Sequence, residues 1–332
     1  MIFELRRRQL MAGSAAFLLA KLARAQPVNK SRRIGILSAR RQPAALDQDA
    51  NFVRFLRGMR ELGYIENENV RFDARFAGGE MARLPALAQE LALLKPDVIV
   101  TAGNQAIAAA MKAAPDTPIV IATSIDPVGS GFADSLAHPG GRVTGLSNLT
   151  SEVSVKHIEF LSTIVPRLSK VAVLIDPTNS AHDTVVKSLR TAAVKAHVDL
   201  VVTKASTGEE IDQAFVQIAG SQARALVVVV DGFFTQQAEH IAALAIKASL
   251  PSIDASGSLA RAGGLAGYGQ DFGDNYYRAA SFVDKILKGA KPGELPIEQS
   301  SRFTLVLNLK TARTLGLSIP QSVMLRVDQV IE

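Results

Sequence analysis

The chain has 332 residues, of which 48% are hydrophobic and 20% are charged, and it contains no cysteine. This composition excludes a disordered chain, and the lack of cysteine excludes disulfides, thiolate metal sites and a cysteine nucleophile. The formal net charge of +6 is concentrated at the N-terminus, because residues 1–25 carry +4 of it. The remaining +2 requires no nucleic-acid or membrane partner. The length predicts about two domains.

The first 25 residues have the three parts of a cleavable export signal. Arg6, Arg7 and Arg8 form a basic start, residues 10–20 are apolar, and residues 23–25 read Ala-Arg-Ala. The apolar stretch is shorter than the ~20 residues that span a bilayer. The arginine pair and a basic segment before the cleavage point fit the twin-arginine route as well as the general one, so both routes stay open. We therefore predict a periplasmic protein that is exported by a cleavable signal.

From residue 33 onwards, short apolar strands alternate with amphipathic helices, and the pattern occurs twice. The first four strands span 85 residues in one copy (Arg33 to Pro118) and 81 in the other (Lys170 to Pro251). The predicted strands are 33–37, 70–76, 97–101, 118–122, 170–175, 198–203, 225–230, 251–254, 265–269 and 303–307. The predicted helices are 52–62, 84–94, 105–113, 184–196, 209–219, 236–248, 276–288 and 310–315. This alternation predicts an α/β protein with two doubly wound parallel-sheet lobes.

The elements after residue 265 are too few to form a third core, so we expect them to complete the two sheets. The chain then crosses between lobes three times and forms a three-strand hinge. We predict that lobe 1 comprises residues 31–147 plus 270–300, and lobe 2 residues 148–269 plus 301–332. A hinge of this kind is suited to closure around a ligand.

The predicted binding site lies in the cleft between the lobes, because ligands of such sheets bind beyond the carboxyl ends of the strands. The loops at those ends carry small, hydroxylic and acidic residues. We predict ligand contacts from Ser38, Gly103, Asn104, Thr123, Ser124, Asp126, Asn179, Asp231, Phe233, Asp254 and Tyr268.

These residues suit a ligand with opposite charges at its two ends. The loops at 103–104 and 123–124 offer N–H, hydroxyl and amide groups to a carboxylate. Asp126 or Asp231 can meet an ammonium group. The structural alternatives are a turn or helix cap for the two acids and core packing for the two aromatic candidates.

No motif indicates catalysis. The chain lacks the phosphate-binding loop, the dinucleotide fingerprint, the nucleophile elbow and the zinc-protease motif. Of the five histidines, only His182 lies near a predicted cleft loop. We therefore predict a binding protein that is not an enzyme and uses no cofactor and no metal ion.

Segments along the whole chain carry a family resemblance. They are 33–38 (RIGILS), 55–64 (FLRGMRELGY), 138–145 (HPGGRVTG), 231–234 (DGFF), 263–269 (GGLAGYG), 286–292 (ILKGAKP), 303–312 (FTLVLNLKTA) and 315–320 (LGLSIP). Together they resemble the ABC-transporter substrate-binding proteins that include tryptophan and tyrosine binders. The resemblance implies a type I periplasmic binding protein that captures a small molecule between its two lobes. It also implies delivery to an ABC permease of the inner membrane, which is driven by a separate ATPase. We expect the ligand to be an amino acid or a related carboxylate and the protein to be a monomer.

The resemblance also implies a role for one acid. In the amino-acid binders, an aspartate after the third strand of the second lobe meets the ligand's amino group, and Asp231 matches that position. Those binders usually have asparagine next, whereas this chain has Gly232, followed by two phenylalanines. The segment 102–104 reads Ala-Gly-Asn instead of the commoner Gly-Gly form, which implies a side-chain amide in the site. A periplasmic sensor for a kinase or chemoreceptor, and an exported α/β enzyme, are the alternative functions.

Overall fold

The protein is described by a computed structural model that covers residues 31–46, 49–300 and 302–332. The predicted export signal in residues 1–25 lies outside the described residues. The strands are β1 (Arg32–Ser38), β2 (Val70–Phe76), β3 (Val98–Ala102), β4 (Ile119–Thr123), β5 (Val143–Ser147), β6 (Lys170–Ile175), β7 (Asp199–Lys204), β8 (Leu226–Val228), β9 (Ser252–Asp254), β10 (Ala266–Gln270), β11 (Glu298–Gln299), β12 (Phe303–Asn308) and β13 (Gln329–Ile331).

The helices flank these strands. They are α1 (Phe52–Glu61), α2 (Leu84–Leu93), α3 (Asn104–Ala113), α4 (Thr150–Ile164), α5 (Ala181–Ala196), α6 (Gly208–Ser221), α7 (Gly232–Gln236), α8 (Ala238–Lys247), α9 (Ser258–Arg261), α10 (Phe272–Leu287), α11 (Leu309–Thr314) and α12 (Gln321–Met324). No helix among the described residues has both the length and the apolar character needed to cross a bilayer.

Two sheets form the framework of the described chain. The first has the strand order β2-β1-β3-β4-β5-β11 and is parallel throughout. The second has the order β7-β6-β8-β9-β10-β12-β13, with β10 and β12 as its antiparallel pair. Both sheets begin with the same 2-1-3 arrangement, so each has a switch point between its first and third strands. This architecture confirms the predicted α/β class with two doubly wound lobes.

Each sheet is covered on both faces by helices that bury apolar side chains. In lobe 1, α1 places Phe52, Phe55 and Met59 against one face, where they meet Phe282 of α10. Helix α10 follows a strand of the second sheet but packs on the first, since its apolar face lies in the lobe 1 core. A buried apolar face of this size is the main stabilising contribution to such a lobe.

The chain passes between the two sheets three times: from β5 to α4, from β10 to α10, and from β11 to β12. Gln270, at the start of the second passage, forms hydrogen bonds with residues of the other two. Its Oε1 accepts a hydrogen bond from the Leu149 N–H at 2.7 Å, and its Nε2 donates to the Ser300 carbonyl. The number of passages agrees with the predicted three-strand hinge, while the residue boundaries of the lobes stay a prediction.

Several short or irregular elements differ from the sequence-based expectation. Strand β5 and helix α4 lie in a part of the chain for which no strand or helix is predicted. Gly145 within β5 has φ +128°, and a Cβ there would lie 2.2 Å from the carbonyl oxygen of Ile121. Strand β8 is three residues long instead of the predicted six, although the Val229 N–H still donates to the Leu174 carbonyl of β6 at 3.0 Å.

Candidate functional site

A cleft of about 990 Å³ lies between the two sheets. It is lined by the loops that follow β1, β3 and β4 in lobe 1 and β6, β8 and β9 in lobe 2. These loops leave the carboxyl ends of strands that flank the two switch points, where open α/β sheets bind ligands.

The structure brings seven of the eleven predicted contact residues to this cleft. They are Ser38, Gly103, Asn104, Thr123, Ser124, Asn179 and Asp231. The other four, Asp126, Phe233, Asp254 and Tyr268, are not part of its lining.

The N-terminus of α3 forms the floor of the cleft on the lobe 1 side. Gly103 has φ +87°, and a Cβ at this residue would meet open space. Its N–H donates to the Thr123 carbonyl at 2.9 Å, so the chain turns here and α3 begins at Asn104. The first N–H groups of a helix have no acceptor within it, and they carry the positive end of the helix dipole. This end of α3 therefore suits an anionic ligand group.

The side chain of Asn104 has a different role from the one predicted. Its Nδ2 donates to the Ile125 carbonyl at 2.7 Å and to Ser130 Oγ at 2.8 Å. Its Oδ1 accepts from the Ile125 N–H at 3.0 Å and from Ser124 Oγ at 3.2 Å. The amide is therefore committed to holding the loop after β4, and what the residue can offer a ligand is its backbone.

Two hydroxyls on the lobe 1 wall remain available. Ser38 Oγ accepts from the Arg40 N–H at 3.2 Å, which leaves its own O–H as a donor. The Thr123 hydroxyl makes no hydrogen bond within the described residues, and Thr123 is 8% exposed. Either hydroxyl can supplement the α3 N-terminus in binding a carboxylate.

Two of the predicted acidic contacts are structural. Asp126 has φ +44° and its Oδ1 accepts from the Gly129 N–H at 2.8 Å, so it stabilises a turn. Asp254 is buried, and its Oδ1 accepts from the Gly257 N–H at 2.9 Å while its Oδ2 accepts from the hydroxyls of Ser256 and Ser258. Both carboxylates are therefore held by neighbouring residues of their own loops and do not face a ligand.

The two predicted aromatic contacts pack inside or behind lobe 2. Phe233 is buried in the core of this lobe with its ring 5.2 Å from that of Phe234. Tyr268 stacks on Phe303 with the ring centres 6.1 Å apart, and it lines a separate cavity between α4 and β12. Side chains alternate along a strand, and the β10 register that pairs Tyr268 with Leu305 turns this ring away from the cleft.

Asp231 carries the one buried carboxylate oxygen of the described cleft lining that has no hydrogen-bond partner. The side chain is 1% exposed. Its Oδ1 caps α7 by accepting from the Phe234 N–H at 2.9 Å, while its Oδ2 is buried and unpartnered. Burial raises the pKa of Asp231 above the usual carboxyl range. The Phe234 N–H, followed by the nearby polar side chains of Asp176, Gln105 and Asn179, offsets only part of this effect.

A second acid, Asp176, lies beside Asp231, and the sequence analysis did not include it among the ligand contacts. Its Oδ1 accepts from the N–H and the hydroxyl of Thr178, both at 2.8 Å. Its Oδ2 accepts from Nε2 of Gln105 at 3.3 Å, so this bond joins α3 of lobe 1 to lobe 2. Burial, and then the Asp231 carboxylate, raise the pKa of Asp176. The signal that could have identified it is its place directly after β6, one strand away from β8.

His182 is a neutral member of this cluster. It is 1% exposed, and its Nδ1 accepts from the Asp176 N–H at 3.0 Å. Its Nε2 lies 3.2 Å from Nδ2 of Asn179 and 3.8 Å from Oδ2 of Asp231. Burial lowers the pKa of His182 to about 4, so it supplies no positive charge at neutral pH. Asn179, which lines the cleft beside it, accepts from the Ala181 N–H at 3.3 Å.

Two arginines of the cleft lining form ion pairs. Arg40 contacts Asp49 at 2.9 Å, and Arg54 contacts Asp271 at 3.2 Å. Such partly exposed pairs contribute little stability. The arrangement can hold a small molecule with an anionic end on lobe 1 and a cationic end on lobe 2. Within the described residues, no group of three or more His, Asp or Glu side chains is placed to hold a metal ion.

The chain is similar to known binding proteins. A tyrosine-binding protein of Clostridioides difficile (strain R20291) is 26% identical over 288 residues, which cover 87% of this chain and 82% of the relative. The solved structure of an ABC domain in complex with L-Trp from Streptococcus pneumonia is 24% identical, with a TM-score of 0.83 over 91% of this chain and all of the other. The ligand-free, open structure of a substrate-binding protein with adhesive properties from Clostridium difficile is 24% identical. It gives a TM-score of 0.65 over 91% of this chain and 99% of the other.

The family assignment rests on a match that spans most of the chain. The model of the family described as "ABC transporter substrate binding protein" matches residues 45–331. The predicted family and its type I periplasmic binding fold are thereby confirmed. The family and the relatives found here are binding proteins and not enzymes, as the missing catalytic motifs predict. The chain belongs to the ABC transporter substrate-binding protein family.

Proposed function

We propose that this protein captures an amino acid or a closely related zwitterion in the cleft and delivers it to an ABC permease. The observation that carries the proposal is the buried Oδ2 of Asp231, which has no hydrogen-bond partner in a residue that lines the cleft. A ligand ammonium beside this oxygen would compensate a buried charge that the described protein leaves unpaired.

The opposite wall supports the same ligand class. The N-terminus of α3 and the Thr123 hydroxyl lie on the lobe 1 side, where they suit a carboxylate. A plain sugar would meet neither charge, and a plain carboxylate would leave Asp231 unpaired. The tyrosine binder and the L-Trp complex among the relatives support an amino acid.

Capture requires the lobes to close, and two observations support closure by the three-strand hinge. Gln105 of lobe 1 hydrogen-bonds Asp176 of lobe 2 across the cleft. The TM-score is 0.83 with the L-Trp complex and 0.65 with the ligand-free, open relative, which indicates a lobe arrangement nearer to the closed one. A ligand that contacts both lobes favours this state through its higher affinity for it.

A thermal-shift screen of the mature chain tests the ligand class. The panel contains aromatic and branched amino acids, small carboxylates, nucleosides and sugars. A ligand at about 1,000 times its Kd adds about 4 kcal/mol to the free energy of unfolding, which raises the Tm by about 10 °C in a chain of this size. A response to carboxylates or sugars alone would discard the zwitterion site and leave the family assignment intact.

The D231N variant tests the residue that carries the proposal. It keeps the acceptor that caps α7 but removes the charge, so we expect the affinity for an amino acid to fall by about 2–5 kcal/mol. D254N is the matched control, because Asp254 is a similarly buried acid at the end of the neighbouring strand and lies outside the cleft lining. Each variant is compared with its own ligand-free Tm. An unchanged affinity in D231N would remove Asp231 from the site.

Export and delivery need measurements in cells. We propose that the mature protein begins at Gln26 in the periplasm, which fractionation and N-terminal sequencing can check. Substituting Lys for Arg7 and Arg8 should block export if the twin-arginine route is used. Deleting the gene should abolish uptake of the amino acid found in the screen, whereas a sensor would leave uptake intact.

A further inference from the structure

The lobes also meet directly along one edge of the cleft, which we call the seam. It consists of Ala39, Arg41 and Met81 from lobe 1 and Gly232 and Gln236 from lobe 2. The Arg41 N–H donates to Gln236 Oε1 at 3.0 Å. Met81 is partly buried against the apolar clusters of both lobes. The seam therefore combines a hydrogen bond with an apolar contact across the cleft.

Gly232 is the closest point of approach along the seam. A Cβ on Gly232 would lie 2.6 Å from the Cβ of Ala39, which is 0.8 Å short of the 3.4 Å where ordinary contact begins. Ala39 is buried, and its Cβ is fixed to its backbone and cannot rotate away. The three nearest atoms to this position all belong to Ala39 and Met81 of lobe 1. Only a separation of the lobes would relieve the clash.

Within lobe 2 itself, alanine would fit at this position. Gly232 is the first residue of α7, after the capping Asp231, and it is not among the glycines with positive φ. Alanine is more favourable than glycine in a helix. A Gly232→Ala change should therefore leave the lobe folded and act on the contact between lobes.

We infer that Gly232 sets how closely the two lobes shut, and that the missing side chain is what permits the seam to form. This inference rests on the proposed closure but not on the chemical class of the ligand. Gly232 directly follows Asp231, which caps α7 and is proposed to face the ligand. The ligand contact and the contact with lobe 1 therefore come from adjacent residues at the start of α7. Closure and ligand contact are thereby coupled through the start of α7.

The test measures the distance between the lobes. The chain has no cysteine, so L93C and V216C place one spin label on each lobe. Both positions are well exposed, at 82% and 74%. Double electron–electron resonance then reports the ratio of closed to open molecules. Spectra are recorded without ligand and with L-tryptophan or L-tyrosine.

Three variants in this labelled background decide the outcome. G232A should lower the ratio of closed to open molecules about tenfold or more, as expected for an overpacked contact. G208A is the matched control, because Gly208 is the first residue of a capped helix and has nothing within 4 Å of a Cβ. The double variant G232A/A39G should recover closure, since the nearest remaining atoms lie at 3.8 and 3.9 Å.

The inference is overturned if G232A closes as the parent does, if G208A opens equally, or if the double variant fails to recover. It is also overturned if the parent shows no closed component in any sample. A failure of the proposed ligand class gives a different result: neither amino acid increases the closed fraction, while the ligand-free spectra still show the effect of G232A.

Discussion

The two walls of the cleft differ in which of their polar groups have hydrogen-bond partners within the protein. On lobe 1, the side chains of Asn104, Ser124 and Asp126 bond to other residues of that lobe, so its wall presents backbone N–H groups and the hydroxyls of Ser38 and Thr123. On lobe 2, Asp231 leaves one buried carboxylate oxygen unpaired, and Asp176 lies beside it. The lobe 1 wall therefore offers hydrogen-bond donors to a ligand, whereas the lobe 2 wall offers a buried oxygen that a cation or a proton would satisfy.

This difference predicts where a substitution shows its effect. Changes to lobe 1 side chains that hydrogen-bond within the lobe, such as Asn104, should lower the stability of the fold, with loss of binding as a consequence. Changes to the acids of the lobe 2 wall should alter binding and the dependence on pH, because the unpaired group contributes little to the ligand-free fold.

The largest effect on stability is expected at Asn104. An N104A variant loses four hydrogen bonds to the loop at 123–130 and leaves the N–H and carbonyl of Ile125 without this partner. We expect the free energy of unfolding to fall by about 3 kcal/mol, since buried groups lose their partners. Urea unfolding measures it, with D231N as the comparison that should unfold close to the parent. Equal urea midpoints for N104A and the parent would show that the loop does not depend on this amide.

The pH dependence of the free energy of unfolding, measured without ligand, reports on the titratable groups around the lobe 2 wall. His182 has a folded pKa of about 4 against 6.5 in the unfolded chain, so its contribution is complete above pH 6.5 and is lost as the pH falls toward 4. The full loss is about 3 kcal/mol. Asp176 has a raised pKa, so its contribution is present below the usual carboxyl pKa and is lost as the pH rises. The two contributions oppose each other.

Two variants separate these contributions when urea midpoints are measured from pH 4 to 7. D176N removes the share of Asp176 in the contribution that falls as the pH rises, to which Asp231 with its raised pKa also adds, so stability should rise more steeply with pH than in the parent. H182Q removes the contribution that increases with pH, so the stability of this variant should rise less steeply with pH than that of the parent, or fall. E210Q is the control for an acid whose pKa is shifted the other way, because backbone and hydroxyl hydrogen bonds from Ser206 lower the pKa of Glu210. It should change the pH dependence in the direction opposite to D176N. Parallel curves for D176N and the parent would contradict a raised pKa at Asp176.

Much of the fold could be predicted because parallel strands with β-branched runs, such as Val98–Ala102 and Lys170–Ile175, are distinct in any sequence. Strand β5 could not, since its Gly145 is required by the approach of Ile121 in a neighbouring strand. That requirement exists only once the strands are paired.

The site was predictable at the level of loops but not of side chains. The rule that ligands bind beyond the carboxyl ends of strands places seven of the eleven residues in the lining of the cleft. Whether Asn104 faces a ligand depends on acceptors 21 and 26 residues away, at Ile125 and Ser130. Whether a side chain at position 232 would clash depends on Ala39 of the other lobe. Such long-range partners leave no local pattern in the sequence.

The smallest effect on binding is expected at Tyr268, which also lies in lobe 2 but behind its wall. Its ring stacks on Phe303 and lines a cavity of about 290 Å³ with Phe160 and Leu305. A Y268A variant should lose about 2 kcal/mol of stability through lost packing, yet keep the amino-acid affinity of the parent. T123V is the matched change on the wall itself, and loss of its hydroxyl should weaken binding by about 1 kcal/mol while hardly changing the Tm. Titration calorimetry of both variants would contradict the assignment of the wall if Y268A lost more affinity than T123V, because the aromatic ring would then reach the ligand that the β10 register keeps from it.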